Sequence, residues 1–261
     1  MDYQTLEIET RDRVAYVWMN RPDVHNAFDE SLIRELTQAF ERLDHDDAVR
    51  VVVLGGRGKS FSAGADLNWM KRAASYTVEE NLRDARALAQ MLKAIHRLSK
   101  PTLARVQGAA LGGGTGLTAA CDIAIASTQA SFATTEVKFG IIPATIGPYV
   151  IAAIGARMAS RYFLTAERFD AVEAHRIGMV HEVCAPEALD NRINEIVGAL
   201  LAGGPMAQNA AKDLIRAVVD RAVDDAVIED TAQRIAHLRA TPEARDGIGA
   251  FLEKRKPNWL A

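Results

Sequence analysis

The chain reads as an α/β protein that ends in helices, and three observations predict this. Strand-like and helix-like segments alternate up to about Phe139. Glycine-rich turns follow several of the strands. From about Pro143 onward the hydrophobic pattern is almost wholly helical.

The elements follow in order. "YQTLEIETRDRVAYVWMN" alternates around a polar break and predicts two strands in a hairpin. In "DESLIRELTQAFERLD" the residues Leu32, Ile33, Leu36, Phe40 and Leu43 share one helical face, with Asp29 as the N-cap. "RVVVLGG" is a buried strand. A capping box, Thr77 with Glu80, opens a helix that stops before Pro101. Strands recur at "TLARVQG", "CDIAIAS" and "ASFAT". Amphipathic helices then succeed one another through "PEALDNRINEIVGALLAGG", "GPMAQNAAKDLIRAVVD", "DDAVIEDTAQRIAHLRA" and "PEARDGIGAFLEKRK". The expected division is a core over residues 1–200 and a helical packing or assembly region over 201–261.

Composition narrows the function. The 261 residues suffice for a large hydrophobic core, and 49% hydrophobic with 25% charged residues is ordinary for a globular chain. A net charge of −3 offers no general attraction to nucleic acid or anionic membranes. No apolar run is long enough to span a bilayer, and "MDYQTLEIETRDR" lacks the regions of a secretory signal. Cys121 and Cys184 form neither a disulfide framework nor a metal set, so a cytoplasmic location without a bound metal is expected.

Two glycine-rich stretches resemble nucleotide motifs and fail as such. "GGRGKS" would need a glycine where Val53 stands to be a phosphate loop. Gly112 and Gly114 begin a dinucleotide fingerprint, but Leu117 occupies its third glycine position. Gly112, Gly113 and Gly114 open a helix after a strand, which leaves outward-pointing N–H groups backed by the helix dipole. Bare glycines allow a ligand oxygen to approach them, as half of an oxyanion hole; close helix–strand packing is the alternative use. "FSAGADL" adds a second small-residue turn after a strand, so two N–H groups can meet at one oxygen.

In this order and spacing, "NRPDVHNAF", "FSAGADL", "VQGAALGGG", "CDIAIAS", "TEVKFGIIP" and "FLEKRK" resemble the crotonase, or enoyl-CoA hydratase/isomerase, family along nearly the whole chain. The resemblance implies a crotonase-like spiral of strand–strand–helix turns followed by a helical trimerisation region. It implies a homotrimer, often paired into a hexamer, acting on an acyl-CoA substrate, with no cofactor beyond the coenzyme A of that substrate. The oxyanion donors it implies are the backbone N–H groups of Ala65 and Gly113. Around them Ala63, Asp66, Leu67 and Gly112, with His25 and Ala27, would line the substrate path; an exposed turn is the alternative for His25. Asp66 and Asp122 are expected to cap their own loops rather than to act in catalysis.

The chain departs from the family pattern at Gly116, where a typical hydratase carries the first of two catalytic glutamates. The second acid is present as Glu136, twenty residues on. One carboxylate suffices to move a proton between two carbons, as in an isomerase, or to activate water and return its proton, as in a hydratase. "EVKFGIIPATIGPYVIAAIG" with Gly116 looks most like hydratases of branched, carboxylated enoyl-CoAs, typified by 3-methylglutaconyl-CoA hydratase of leucine breakdown. If "TTEVKF" is extended, Lys138 projects beside Glu136 and meets the distal carboxylate of such a substrate. A non-catalytic or RNA-binding family member is the remaining alternative, since "LEKRKPNW" is basic beside an aromatic ring. The net charge and the lack of a long basic helix argue against it.

Overall fold

The computed structural model describes residues 3–260. Its first strands are the hairpin β1 (Leu6–Arg11) and β2 (Val14–Met19). Helix α1 (Glu30–Asp44) follows, capped by Asp29, whose Oδ1 accepts from Leu32 N at 2.8 Å. Next come β3 (Val51–Gly56), the short α2 (Leu67–Ala73) and α3 (Val78–Arg97), the last opened by the Thr77–Glu80 capping box. Strands β4 (Thr102–Val106) and β5 (Ala109–Leu111) lead into α4 (Gly113–Ala120), and β6 (Ile123–Ser127) and β7 (Ser131–Ala133) follow. Then come α5 (Gly147–Thr165), β8 (Phe169–Asp170), α6 (Ala171–Arg176) and β9 (Glu182–Cys184). Helices α7 (Leu189–Ala202), α8 (Pro205–Val218), α9 (Asp225–Arg239) and α10 (Pro242–Leu252) complete the order.

A six-stranded sheet runs β1-β2-β3-β4-β6-β9, antiparallel only at the first pair, and a three-stranded sheet runs β5-β7-β8. Both faces of the larger sheet are covered, as parallel strands require. Along β2, Ala15, Val17 and Met19 point to the main core with α1, α3 and α4, while Val14 and Tyr16 face Leu189, Ile193 and Val197 of α7. The period of two thus serves two cores at once. Helix α7 therefore belongs to the packed body.

Two expectations need correction. The segment after Pro143 is not wholly helical: β8 and β9 extend both sheets. These strands have two and three residues, too short to show alternation. Asp122 does not cap its own loop. Its Oδ2 accepts from Thr102 N and Thr102 Oγ1, both at 2.8 Å, and from Lys212 Nζ at 2.6 Å. Lys212, buried on α8, also donates to Lys100 O at 2.8 Å, so α8 is tied to the sheet at the end of α4.

Replacing Lys212 with methionine removes that tie and leaves Asp122 only its Thr102 donors. The expected loss is about 1–3 kcal/mol, read as a lower urea midpoint at unchanged slope. A midpoint equal to the parent's would show that the pair adds nothing.

Candidate active site

Two loops and one helix end build the site. The turn after β2 is knitted by Asn26, which is buried and left-handed at φ 54°. Its Oδ1 accepts from Arg21 N at 2.9 Å, and its Nδ2 donates to Arg57 O and Ser60 O, both at 2.9 Å. Arg21 then pairs with both Asp29 and Asp66, at 2.9 and 3.1 Å. These contacts clamp "NRPDVHN" onto the loop after β3.

That loop, "FSAGADL", lies between Phe28 and β5. Ser62 pairs with Ala110 on one side, and Ala65 pairs with Phe28 on the other. In the second bridge Phe28 N donates to Gly64 O at 2.7 Å and Asp66 N donates to Phe28 O at 2.8 Å. A parallel bridge of this form engages the residues flanking Ala65 and turns the N–H of Ala65 itself to the opposite side. Gly64, at φ +90°, makes the reversal possible. Gly113 is the first residue of α4, so its N–H has no partner inside the helix. Among the described residues neither N–H finds a protein acceptor.

Ala65 and Gly113 both line a cavity of about 300 Å³. Its wall is mainly apolar, with Trp69, Met70, Leu88, Phe139, Ile142 and Ile146 among its side chains. Glu136 is the one titratable side chain lining it among the described residues. A Cβ placed on Gly112 would lie 3.3 Å from Glu136 Oε1, and Glu136 Oε2 is buried without a hydrogen-bond partner. Burial holds the carboxyl above its ordinary value of 4.5. A poised carboxyl group beside two free N–H donors can move protons at a carbonyl compound whose oxygen those donors hold.

The glycines serve packing as well as access. A Cβ on Gly113 would fall 1.9 Å from Phe28 Cε2, and one on Gly114 would fall 2.3 Å from Ser62 O. Close packing and exposed N–H groups are thus two results of one contact. Gly116 is buried under Ile146, whose Cγ2 lies 2.3 Å from the place of a Cβ there.

Ala63, Leu67 and Gly112 line the cavity. His25 and Ala27 stand outside its wall: His25 Nδ1 meets Ser60 Oγ at 3.1 Å, while the His25 carbonyl accepts from Ala63 N at 3.0 Å. Asp66 is also outside the wall, its Oδ1 accepting from Asn68 N and Trp69 N as the cap of α2. Lys138 is a correction. "EVKF" is a 3-10 helix over Glu136–Phe139, not a strand. At three residues per turn, residues two apart diverge, and Lys138 is exposed outside the cavity. The site also draws on Phe28, Asn26 and Ile146, which the motifs do not single out. Asn26 carried a usable signal, since asparagine tolerates the left-handed region; Phe28 and Ile146 carried none, because their role lies in what they touch.

Residues 9–261 match the family model for enoyl-CoA hydratase/isomerase. An enoyl-CoA hydratase structure from Shewanella pealeana is 42% identical and superimposes with a TM-score of 0.96, covering 98% of this chain and 96% of that one. A crotonyl-CoA hydratase of Syntrophomonas wolfei is 34% identical over the full length of both chains. The 2,3-dehydroadipyl-CoA hydratase of Escherichia coli is 31% identical, covering 97% of this chain and 98% of the relative. With residues 9–261 matched and the same fold in space, the protein belongs to the enoyl-CoA hydratase/isomerase family.

Proposed function

We propose that this protein is an enoyl-CoA hydratase that works with a single carboxylate, and that its substrate is 3-methylglutaconyl-CoA. The observation that carries the hydratase reading is the meeting of two unpaired N–H groups and one unpartnered carboxyl group on a single apolar cavity. The thioester oxygen accepts from the N–H groups of Ala65 and Gly113, each contributing about 3 kcal/mol as charge develops. Ionised Glu136 takes a proton from water, and the oxygen bonds to the third carbon of the acyl group. The electron pair of the double bond moves into an enolate held by the donors. Glu136 then returns its proton to the second carbon. The coenzyme A is part of the substrate and no cofactor is needed. The family resemblance supports a path for it past Ala63 and His25, where Ala63 N donates to the His25 carbonyl at 3.0 Å.

The names of the relatives, hydratases of crotonyl-CoA and 2,3-dehydroadipyl-CoA, support addition of water. The branched acyl group is supported by the sequence resemblance around Glu136 and Gly116. Neither lysine nor arginine lines the cavity among the described residues, so the distal carboxylate of this substrate has no cationic partner in that wall. A second reading, isomerisation, is favoured by the same lone carboxylate, which needs no water to carry a proton between the second and fourth carbons. Loss of enoyl-thioester absorbance on a panel of 2-enoyl-CoAs marks hydration, and its gain from a 3-enoyl-CoA marks isomerisation. Greater kcat/KM for crotonyl-CoA than for 3-methylglutaconyl-CoA would overturn the substrate.

Replacing Glu136 with glutamine is expected to lower kcat by about two to four powers of ten with a small change in KM. Activity within threefold of the parent would remove Glu136 from the chemistry. The raised carboxyl also sets a stability test. The folded protein binds this proton more tightly than the unfolded chain does, so ionisation costs stability. The cost is absent below the ordinary value of 4.5 and complete above the raised one. Glu136→Gln is therefore expected to melt higher than the parent at neutral pH and to lose that advantage as the pH falls.

We also propose a homotrimer, or a hexamer made of two. Apolar side chains on the last helices lack cover within the chain, with Ile215 65%, Phe251 82% and Leu252 74% exposed. Sedimentation should show a species at least three times the 28.4 kDa chain. A lone 28.4 kDa species at micromolar concentration would exclude assembly.

A further inference from the structure

Where the cavity wall meets the glycine helix at Gly116, one side chain, Ile146, packs against it. Ile146 is 2% exposed and lines the cavity. It ends the turn Pro143–Gly147, in which Gly147 N donates to Pro143 O at 2.8 Å, and its carbonyl accepts from Tyr149 N and Val150 N, both at 3.1 Å. The backbone that carries it is therefore fixed. Its Cγ2 and Cβ lie 2.3 and 2.7 Å from the site of a Cβ on Gly116, so any side chain there and Ile146 exclude each other.

Distance along α4 locates this contact on the substrate. Gly116 stands three residues beyond Gly113, which is about 4.5 Å of helix rise and the same face. If Gly113 holds the thioester oxygen, an extended acyl chain running past α4 brings its third and fourth carbons level with Gly116 and Ile146. We propose that Ile146 is the specificity-determining residue of the site, giving an apolar wall to an alkyl substituent on the third carbon of the acyl group. The inference rests on the hydratase reading above and deepens it. It defines the substrate class as enoyl-CoA thioesters branched at the carbon that takes up water.

The test compares crotonyl-CoA with 3-methylcrotonyl-CoA, which differ by one methyl group on that carbon and both lack a distal carboxylate. The quantity read is the ratio of kcat/KM for the branched over the unbranched thioester, in the full-length protein and its variants. A single methyl group in an apolar pocket is worth about tenfold or more. Ile146→Ala is expected to lower the ratio about tenfold. Gly116→Ala, whose new methyl group displaces Ile146, is expected to lower it as well, and to have no further effect once Ile146 is alanine. Ile146→Val keeps Cγ2 and loses only the outer methyl group, so it decides the matter if the alanine variant does not fold; a fall of about threefold is expected. A ratio within twofold of the parent's in Ile146→Ala, or an unchanged ratio in Ile146→Val should the alanine variant not fold, overturns the proposal and leaves the hydratase reading standing. Failure of the parent protein to hydrate crotonyl-CoA, 3-methylcrotonyl-CoA and 3-methylglutaconyl-CoA alike overturns both.

Discussion

The site depends on how closely the first turns of α4 are pressed by their neighbours. Phe28, the Ser62 carbonyl and Ile146 each occupy space that a β-carbon on Gly113, Gly114 or Gly116 would take. Three separate loops are thereby brought against one helix end. Each of those contacts would be lost, or relieved by movement of several tenths of an ångström or more, if the glycines carried side chains. The entropy that glycine costs in a helix is offset by this packing. The access that the proposed reaction requires, of a thioester oxygen to the N–H of Gly113, follows from the same bareness.

The second N–H has a different origin, and the two are complementary. Gly113 is unpaired because every helix leaves its first N–H groups without partners. Ala65 is unpaired because its neighbours, not itself, bond to Phe28. One donor is a property of a helix end and the other of a bridge register. Phe28 holds both in place, since its ring packs on Gly113 while its backbone bonds across Ala65. The sequence "NAF" thus connects the capped start of α1, the loop clamped by Asn26 and the two donors.

What could be read from the sequence was whatever local chemistry determines. The Thr77–Glu80 box, the Asp29 cap and the face of Leu32, Leu36 and Phe40 stand as expected, because each depends on residues within a few positions. The glycine helix and the acid at Glu136 were legible through motifs in their right order. Illegible features arose from tertiary contact. The "EVKF" segment has strand-like spacing, yet its backbone turns because Lys138 N and Gly140 N bond back to the Thr135 and Val137 carbonyls. Strand β9 has no pattern of its own and forms because β6 offers it an edge. Asp122 bonds to Lys212, a partner ninety residues away in the chain that no local pattern points to.

Leaving out a second acid changes the electrostatics of the cavity as well as its shape. Two carboxyl groups in one apolar cavity repel when both ionise, so their titrations couple and one is driven further upward. Here Ile146 fills the volume above Gly116, and among the described residues Glu136 has no charged neighbour in the wall. Its elevation comes from burial, the larger effect, opposed by its own backbone N–H. In the proposed reaction the incoming thioester deepens that burial, and the enolate is held by Ala65 and Gly113 rather than placed against a second anion. On the proposed reading a lone carboxyl group, raised by burial and with no second carboxylate in the wall among the described residues, both accepts a proton from water and gives it back to carbon. The apolar residue beside Gly116 is part of what lets one acid do the work of two.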